Sequence, residues 1–212
     1  MIKACLIDVD GFLVNSEELY LEANKMYFKT IGFEFTEELH RQGTGKKFVQ
    51  WIKTILPSSD KSGEKIFRER NVIFYELAKK RLNLLPGVYE FLELVKGNFK
   101  TSIVTSSPKD YLELVFELTG IQKFFDVVIT EEMVIKGKPD PECYLLAATE
   151  LSVKPDECVV FEDDPNGVLA GKNAGMKVIA VPSYYVKGDL AFQKADIVLE
   201  SVKEITLDKI LS

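Results

Sequence analysis

The organisation of this chain follows from one segment near its start, Cys5-Leu-Ile-Asp-Val-Asp-Gly-Phe-Leu-Val-Asn-Ser-Glu17. It overlaps an apolar run, Ala4 to Ile7, that has the length of a buried strand. Asp8 and Asp10 follow at once, and alternation along an extended chain puts their carboxylates on the same side. Two carboxylates that close repel each other unless a proton or a cation lies between them, and Mg²⁺ is a cation that prefers oxygen ligands. The segment is equally compatible with a strand that ends in a polar turn.

The composition is that of an ordinary globular protein and narrows the classes of partner. The chain has 212 residues, of which 46% are hydrophobic and 28% charged, and its formal net charge is −6. A net negative charge disfavours nucleic acid as a partner, and no apolar run is long enough to cross a membrane. The three cysteines lie in apolar segments without metal-site spacing, which is typical of buried thiols in a reducing compartment. We therefore expect a cytoplasmic monomer without a signal peptide.

The segment from residue 15 to residue 84 is predicted to be purely helical. Asn15, with Glu18 three residues later, has the pattern of a capping box at the start of the first helix. The last helix of the segment is predicted over Ser62 to Arg81. Its predicted inward-facing residues are all apolar: Ile66, Phe67, Ile73, Phe74 and Leu77. The block is thus a helical insert that directly follows the first strand.

Beyond residue 85 the pattern alternates between strands and helices. Short apolar runs predict five more strands, at Thr101 to Thr105, Val127 to Ile129, Cys158 to Phe161, Lys177 to Val181 and Ile197 to Leu199. Ser107 is predicted to cap the helix after the second strand, with Pro108 at its first position. Such alternation of apolar strands with helices indicates an α/β fold with a parallel sheet covered on both faces. In these sheets ligands bind at the carboxyl ends of the strands.

Polar residues follow four of the predicted strands. They are Asp8 and Asp10, Thr105 and Ser106, Lys138 in a loop, and Glu162 and Asp163. Taken singly, each has a plain explanation as a cap or a solvated loop residue. Taken together they predict a phosphoryl-transfer site, in which acids hold a metal ion, a hydroxyl and a lysine bind phosphoryl oxygens, and one carboxylate is the nucleophile.

The order of these motifs resembles that of the haloacid dehalogenase superfamily of phosphohydrolases. The motifs are Asp-x-Asp-Gly from Asp8, Thr-Ser-Ser from Thr105, Lys-Pro-Asp-Pro from Lys138 and Phe-Glu-Asp-Asp from Phe161. The helical insert resembles the branch of that superfamily that holds β-phosphoglucomutase and small sugar-phosphate phosphatases. The resemblance implies a Rossmann-like parallel sheet core of residues 1–14 and 85–212, with an inserted helical cap of residues 15–84.

The same resemblance implies catalytic and metal-binding roles. Asp8 would attack phosphorus and become an aspartyl phosphate, while its other oxygen binds Mg²⁺. Asp10 would act as general acid and then as general base, and its backbone carbonyl would be a further Mg²⁺ ligand. Asp163 would also bind Mg²⁺, with Glu162 beside it as a ligand or as an acid just outside the ligand set.

The resemblance also implies how the substrate is bound. Thr105, Ser106 and Lys138 would bind the transferring phosphoryl group, and Lys138 would also separate the nucleophile from the other acids. Lys46 lies in the segment Gly43-Thr-Gly-Lys-Lys47, which resembles a cap loop of the family that reaches the site, and is a candidate substrate contact. A solvated lysine pair at a helix start explains that segment equally well.

Two positions depart from the usual pattern of the family. Phe12 stands where Thr or Val is usual, and we expect its ring at the mouth of the site, where it would narrow the entrance. Asn15 stands where Asp is usual, which keeps helix capping but removes a charge at the start of the cap. Neither position belongs to the implied chemistry, so neither rules out catalysis.

These observations predict a Mg²⁺-dependent phosphatase that hydrolyses a small phosphate monoester, a sugar phosphate or similar, through an aspartyl-phosphate intermediate. A phosphomutase like β-phosphoglucomutase is the first alternative, because it shares all the core residues. Mutases of this branch tend to carry a histidine on the first cap helix and an arginine in the cap loop. This chain has Tyr20 and Lys46 there, which favours hydrolysis. The second alternative is a non-catalytic phospho-receiver module, against which Asp10 and a large cap argue.

Overall fold

The computed structural model describes all 212 residues, and the chain divides into two compact units. Residues Met1–Asn15 and Asn83–Ser212 form the core unit, and residues Ser16–Leu82 form the helical unit. The helical unit is therefore inserted into the core unit a few residues after the first strand.

The helical unit consists of four helices: α1 Ser16–Thr30, α2 Glu37–Gly43, α3 Phe48–Ile55 and α4 Gly63–Arg81. Helices α1 and α4 pack along each other, and the rings of Tyr20 on α1 and Phe74 on α4 stack with their centroids 3.8 Å apart. No helix of the protein has both the length and the apolar character that crossing a membrane requires.

The buried side of α4 differs from the predicted one. The buried residues Ile66, Arg70, Phe74 and Ala78 recur every four residues along the helix. Phe67, which was predicted to face inward, is 36% exposed. The prediction was wrong at Phe67 because it followed hydrophobicity alone, whereas the charged Arg70 occupies an inward position.

The core unit is built on one six-stranded sheet. Its strands, in chain order, are β1 Ala4–Ile7, β2 Lys100–Val104, β3 Val127–Ile129, β4 Cys158–Glu162, β5 Lys177–Ala180 and β6 Ile197–Val198. They lie in the order β3-β2-β1-β4-β5-β6, and every neighbouring pair is parallel. This is the doubly wound order, in which the winding reverses beside β1 and opens a crevice at the carboxyl ends of the strands. The predicted α/β fold class, a parallel sheet with an inserted helical block, is confirmed.

The register of the strands sets which residues emerge together at that edge. Ile7, the last residue of β1, is level with Ile103 on β2 and with Phe161 on β4. Asp8 therefore leaves the sheet beside the ends of both neighbouring strands, and its backbone N–H donates to the carbonyl oxygen of Phe161 at 3.1 Å. Since β1 and β4 are buried along their whole length, hydrophobic burial fixes this register.

Five helices accompany the sheet: α5 Val88–Lys96, α6 Lys109–Thr119, α7 Glu142–Glu150, α8 Pro165–Asn173 and α9 Leu207–Leu211. Single 3₁₀ turns lie at Ile121–Phe124, Glu131–Met133, Pro155–Glu157, Leu190–Lys194 and Val202–Glu204. Helices α7 and α8 share one buried cluster with the sheet, to which Tyr144, Ala147, Val168 and Val178 belong. The core of the unit thus lies directly beneath the helices that follow β3 and β4.

Phe12 packs in the core and not at an entrance. Its side chain is 1% exposed, and its ring centroid lies 5.8 Å from that of Phe91 and 6.1 Å from that of Phe161. The reason is the turn after β1, where Gly11 has a φ of 79° and reverses the direction of the chain. The expectation that Phe12 narrows the site was therefore wrong.

Candidate active site

Asp8 lies at the end of the central strand β1 and is buried, with 6% of its surface exposed. Lys138, from the loop between β3 and α7, donates from Nζ to Asp8 Oδ1 at 2.6 Å. The same Nζ donates to Glu162 Oε1 at 2.7 Å and to the carbonyl oxygen of Val104 at 3.0 Å. All three N–H donors of the ammonium are thereby used. Lys138 consequently ties together the ends of β1, β2 and β4.

The charges in this cluster are unbalanced. The acidic side chains of Asp8, Asp10, Glu162 and Asp163 lie around a single ammonium group, that of Lys138. Burial, and then repulsion from Glu162 and Asp10, raise the pKa of Asp8 well above its usual value, against the attraction of Lys138. Burial alone would lower the pKa of Lys138, but Asp8 and Glu162 raise it well above its usual value, so the ammonium stays charged. Excess negative charge in a buried pocket favours the binding of a cation.

Glu162, the last residue of β4, is fully buried and accepts four hydrogen bonds. Its Oε1 accepts from Lys138 Nζ and from the hydroxyl of Tyr144. Its Oε2 accepts from the backbone N–H groups of Asp163 at 3.2 Å and Asp164 at 3.4 Å. Burial, and then Glu162, raise the pKa of Tyr144 well above its usual value, so the phenol remains a hydrogen-bond donor. The position of the Glu162 carboxylate is thus fixed from both sides.

Gly167 in the first turn of α8 leaves the space that this carboxylate occupies. A Cβ atom at this position would lie 1.9 Å from both Cδ and Oε1 of Glu162. Asp164 caps the same helix, because its side chain accepts from the backbone N–H of Asn166 at 2.8 Å. The start of α8 therefore packs directly on the acidic group at the end of β4.

The buried carboxylates of Asp8, Glu162 and Asp163 offer oxygen atoms that lie within 4.8 Å of one another. A donor set made only of oxygen suits a hard cation such as Mg²⁺ better than Zn²⁺. Because both oxygens of Glu162 already accept from protein donors, Asp8 and Asp163 are the better candidates for direct ligation. The residues present fit a divalent cation.

The Asp10 carboxylate lies outside that group and accepts from two hydroxyls. Ser107 Oγ donates to Asp10 Oδ2 at 2.6 Å, and the hydroxyl of Tyr111 donates to Asp10 Oδ1 at 3.0 Å. The prediction that Ser107 caps the next helix is wrong, because Pro108 occupies the cap position of α6 and makes no side-chain cap bond. The serine hydroxyl orients Asp10 instead.

Thr105 and Ser106 follow β2 and differ in exposure. Thr105 is buried, and its Oγ1 accepts from the backbone N–H of Ser107 at 3.0 Å. Since that oxygen accepts from the backbone, the hydroxyl hydrogen remains available to a ligand. Ser106 is exposed at the same strand end. The sheet register thus places Asp8, Thr105 and Glu162 at the ends of three adjacent strands.

The chain matches a known family over a range that includes Asp8, Thr105, Lys138 and Glu162. The family model described as haloacid dehalogenase-like hydrolase matches residues 5–181. The chain belongs to this family. The family resemblance inferred from the motifs is confirmed, as is the prediction that the protein is an enzyme of hydrolase type.

Individual proteins of the haloacid dehalogenase-like hydrolase family are similar to this chain over most of their length. The phosphorylated carbohydrates phosphatase of Thermotoga maritima is 37% identical over 186 residues, which cover 84% of each chain. Among solved structures, that of CbbY from Rhodobacter sphaeroides in complex with phosphate has 29% sequence identity to this chain. The two structures superpose with a TM-score of 0.83, and the match covers 96% of each chain. That of a putative β-phosphoglucomutase from Thermotoga maritima is 30% identical, with a TM-score of 0.81 over 99% of each chain.

Three hydroxyl residues of this hydrolase are absent from the predicted site: Ser107, Tyr111 and Tyr144. Tyr111 and Tyr144 lie on the buried sides of α6 and α7, where an aromatic residue is indistinguishable from an ordinary core position. The usable signal is chemical, because a buried tyrosine hydroxyl requires a hydrogen-bond partner. Each partner here is a carboxylate of the predicted site.

Lys46 belongs to the helical unit and lies between α2 and α3. Its side chain is exposed. Exposure is compatible with contact to a ligand and equally with a solvated lysine, so the role of Lys46 stays a prediction.

Proposed function

We propose that this haloacid dehalogenase-like hydrolase is a Mg²⁺-dependent phosphatase that hydrolyses a small phosphate monoester, a sugar phosphate or similar metabolite, through an aspartyl phosphate. The observation that carries the proposal is the buried Asp8 carboxylate at the end of β1, bonded to Lys138 at 2.6 Å and grouped with Asp163. A nucleophile, an ammonium group and a cation site in one place meet the demands of phosphoryl transfer. The similar phosphorylated carbohydrates phosphatase supports the substrate class.

Asp8 and Asp163 would hold the Mg²⁺ ion, together with the backbone carbonyl of Asp10. Glu162 would act mainly by positioning Lys138, since its oxygens already accept four hydrogen bonds. When bound, the cation offsets the negative charge of the pocket and of the phosphoryl oxygens.

In the first half-reaction, a carboxylate oxygen of Asp8 attacks phosphorus and the bond from phosphorus to the ester oxygen breaks. Asp10 gives its proton to that leaving oxygen, which departs as an alcohol. The Thr105 hydroxyl hydrogen-bonds to a phosphoryl oxygen as negative charge develops there. The Lys138 ammonium, whose three donors are used before substrate binds, would exchange its bond to Asp8 for one to a phosphoryl oxygen when Asp8 attacks. Ser106, at the same strand end, is a further candidate for that contact.

In the second half-reaction, Asp10 removes a proton from a water molecule whose oxygen attacks phosphorus. The bond between phosphorus and the Asp8 oxygen breaks, which releases inorganic phosphate and restores the carboxylate. Asp10 is again protonated and ready for the next substrate. Ser107 and Tyr111 keep the Asp10 side chain oriented through both steps.

The helical unit would act as the cap that selects the substrate, with Lys46 as a candidate contact. The setting would be the cytoplasm, because all three cysteines are free and buried. A monomer stays our prediction for the solution state.

The experiment that tests the function is a screen of phosphate monoesters with Mg²⁺, in which release of inorganic phosphate is measured for wild type and for Asp8→Asn. We expect release by wild type only. Absence of release from every sugar phosphate, nucleotide and small phosphate ester would contradict the proposal.

A phosphomutase is the second candidate, because a putative β-phosphoglucomutase is a structural relative at 30% identity. The two candidates differ in their product. With β-glucose 1-phosphate, Mg²⁺ and a trace of the bisphosphate, a mutase forms glucose 6-phosphate with little free phosphate. We expect slow phosphate release or no reaction, and rapid formation of glucose 6-phosphate would show the mutase alternative to be right.

A further inference from the structure

Lys138 brings a buried ammonium group to the site from a segment whose preceding side chains are exposed. The Lys138 side chain is 8% exposed. Just before it, Ile135 is 94% exposed, and the side chain of Lys136 is 72% exposed. A Cβ atom at Gly137 would meet no other atom within 4 Å. Side-chain packing therefore does not fix the backbone of residues 135–137, which leads to Lys138.

The Glu142 carboxylate fixes this backbone by hydrogen bonds. Its Oε1 accepts from the backbone N–H of Ile135 at 2.8 Å, and its Oε2 accepts from that of Lys136 at 3.0 Å. Hydrogen bonds to an ionised acceptor are about twice as strong as neutral ones. Bonds to two consecutive N–H groups also restrict the rotation of the backbone between them. The segment directly before Lys138 is thus held at two points by one side chain.

The position of Glu142 suits this task, because Glu142 is the first residue of α7. That helix packs in the buried cluster beside the sheet, where its residue Tyr144 is fully buried. On the other side of Lys138, the Asn173 side chain at the end of α8 donates from Nδ2 to the carbonyl oxygen of Pro139 at 3.1 Å. Two helices of the core unit therefore hold the chain on either side of the lysine.

We propose that Glu142 is a positioning residue for Lys138, and that its two backbone bonds keep the ammonium between Asp8 and Glu162. Glu142 acts through the backbone, since each of its oxygens accepts from an N–H group of the loop. When the carboxylate is removed, water can hydrate those N–H groups, because their residues lie at the surface. The main expected loss is therefore one of position. The effect on Lys138 follows from the geometry, whereas the effect on turnover rests on the proposed function.

The test compares the full-length wild type with three variants. Glu142→Gln keeps the size of the side chain and one acceptor oxygen, but its NH₂ group would face the second backbone N–H. Glu142→Ala removes both acceptors. The control Glu150→Gln makes the same change of charge at the exposed far end of α7. If Glu142→Ala does not fold, Glu142→Gln alone serves as the test.

The first measurement is the rate at which acetic anhydride acylates Lys138, followed by peptide mass spectrometry. Lys177 is the internal reference, because its Nζ donates to the carbonyl oxygen of Lys209 at 2.8 Å elsewhere in the core unit. We expect slow acylation of Lys138 in wild type and in Glu150→Gln. Acylation should be about 10-fold faster in Glu142→Gln, which has lost one charge-assisted bond, and faster still in Glu142→Ala. The rate at Lys177 should stay within about twofold of wild type in all four proteins.

The second measurement is steady-state hydrolysis of a phosphate monoester, at a temperature at which all four proteins are folded. We expect kcat of Glu142→Gln to fall about 10- to 100-fold, the size of effect typical of residues that orient functional groups. KM should stay within about threefold, because Lys138 reaches the phosphoryl oxygen only as Asp8 attacks. Glu150→Gln should retain the wild-type kcat and KM.

Three results would overturn the inference. The first is acylation of Lys138 in Glu142→Gln and Glu142→Ala at the wild-type rate. The second is a rise that Lys177 shares equally, because it would indicate general loosening of the core unit. The third is a wild-type kcat in Glu142→Ala. Failure of wild type to release phosphate from any monoester would instead contradict the proposed function, and the acylation rates would still decide whether Glu142 positions Lys138.

Discussion

Replacement of Tyr144 by phenylalanine removes one hydroxyl from the most buried part of the site and leaves the ring in place. The hydroxyl donates to Glu162 Oε1, the oxygen that also accepts from Lys138 at 2.7 Å. The Tyr144 ring lies 5.2 Å from the Lys138 ammonium, and this contact is kept in Tyr144→Phe. The substitution therefore isolates the hydroxyl from the remainder of the side chain.

The expected loss in the free energy of unfolding depends on the hydrogen bonds that Glu162 keeps after the substitution. A hydrogen bond to a charged acceptor contributes about 1.5–3 kcal/mol to stability. Glu162 keeps Lys138 and two backbone N–H groups as donors, so its carboxylate is not left uncompensated. We therefore expect Tyr144→Phe to lower the free energy of unfolding by an amount at the lower end of that range, about 1.5–2 kcal/mol. This corresponds to a fall in Tm of about 3–8 °C for a chain of this length.

The assay is chemical and thermal unfolding of Tyr144→Phe beside the control Tyr89→Phe. Tyr89 is 43% exposed, so its substitution should change stability by no more than about 0.5 kcal/mol. Tyr144→Phe should also weaken Mg²⁺ activation or turnover about 10- to 100-fold, because residues that orient ligand groups have effects of that size. Stability and activation equal to those of Tyr89→Phe would refute the positioning of Glu162 by this hydroxyl.

Three further substitutions test the roles of single groups. Asp10→Asn should slow hydrolysis about 10²–10⁴-fold because the acid and base is lost, and an unchanged pH–rate profile would count against that role. Asp163→Ala should raise the Mg²⁺ concentration needed for half-maximal activity, and full wild-type activity in excess chelator would refute the metal requirement. Gly167→Ala should destabilise the fold by about 1–3 kcal/mol, since its Cβ would overlap the Glu162 carboxylate; wild-type stability would show that the carboxylate moves freely.

The parallel sheet was predictable because its strands are short apolar runs buried on both faces. Once the order of strands and helices indicates such a sheet, the carboxyl ends of the strands must share one edge. Asp8, Lys138, Glu162 and Asp163 could therefore be grouped before any distance was known, and the structure brings them together.

The predictions that the structure contradicts failed for one physical reason: the direction of a side chain depends on tertiary packing. Phe12 was expected at an entrance, but the turn at Gly11 places its ring in the core. Arg70 lies on the buried side of α4, while Phe67 is partly exposed, because surrounding aromatic rings stabilise the guanidinium. Ser107 matched the pattern of a helix cap, and only the fold brings the carboxylate of Asp10 within its reach.

The central claim is that Asp8 carries the phosphoryl group between the two half-reactions. It is tested most directly by acid-quenching the enzyme during turnover with Mg²⁺ and mapping phosphorylated peptides by mass spectrometry. We predict one phosphoryl group on the peptide that contains Asp8, absent in Asp8→Asn and in excess chelator. The claim would be contradicted if the enzyme turned over without a phosphoryl group on Asp8, or with that group on another residue. Turnover by Asp8→Asn within a few-fold of wild type would contradict it as well.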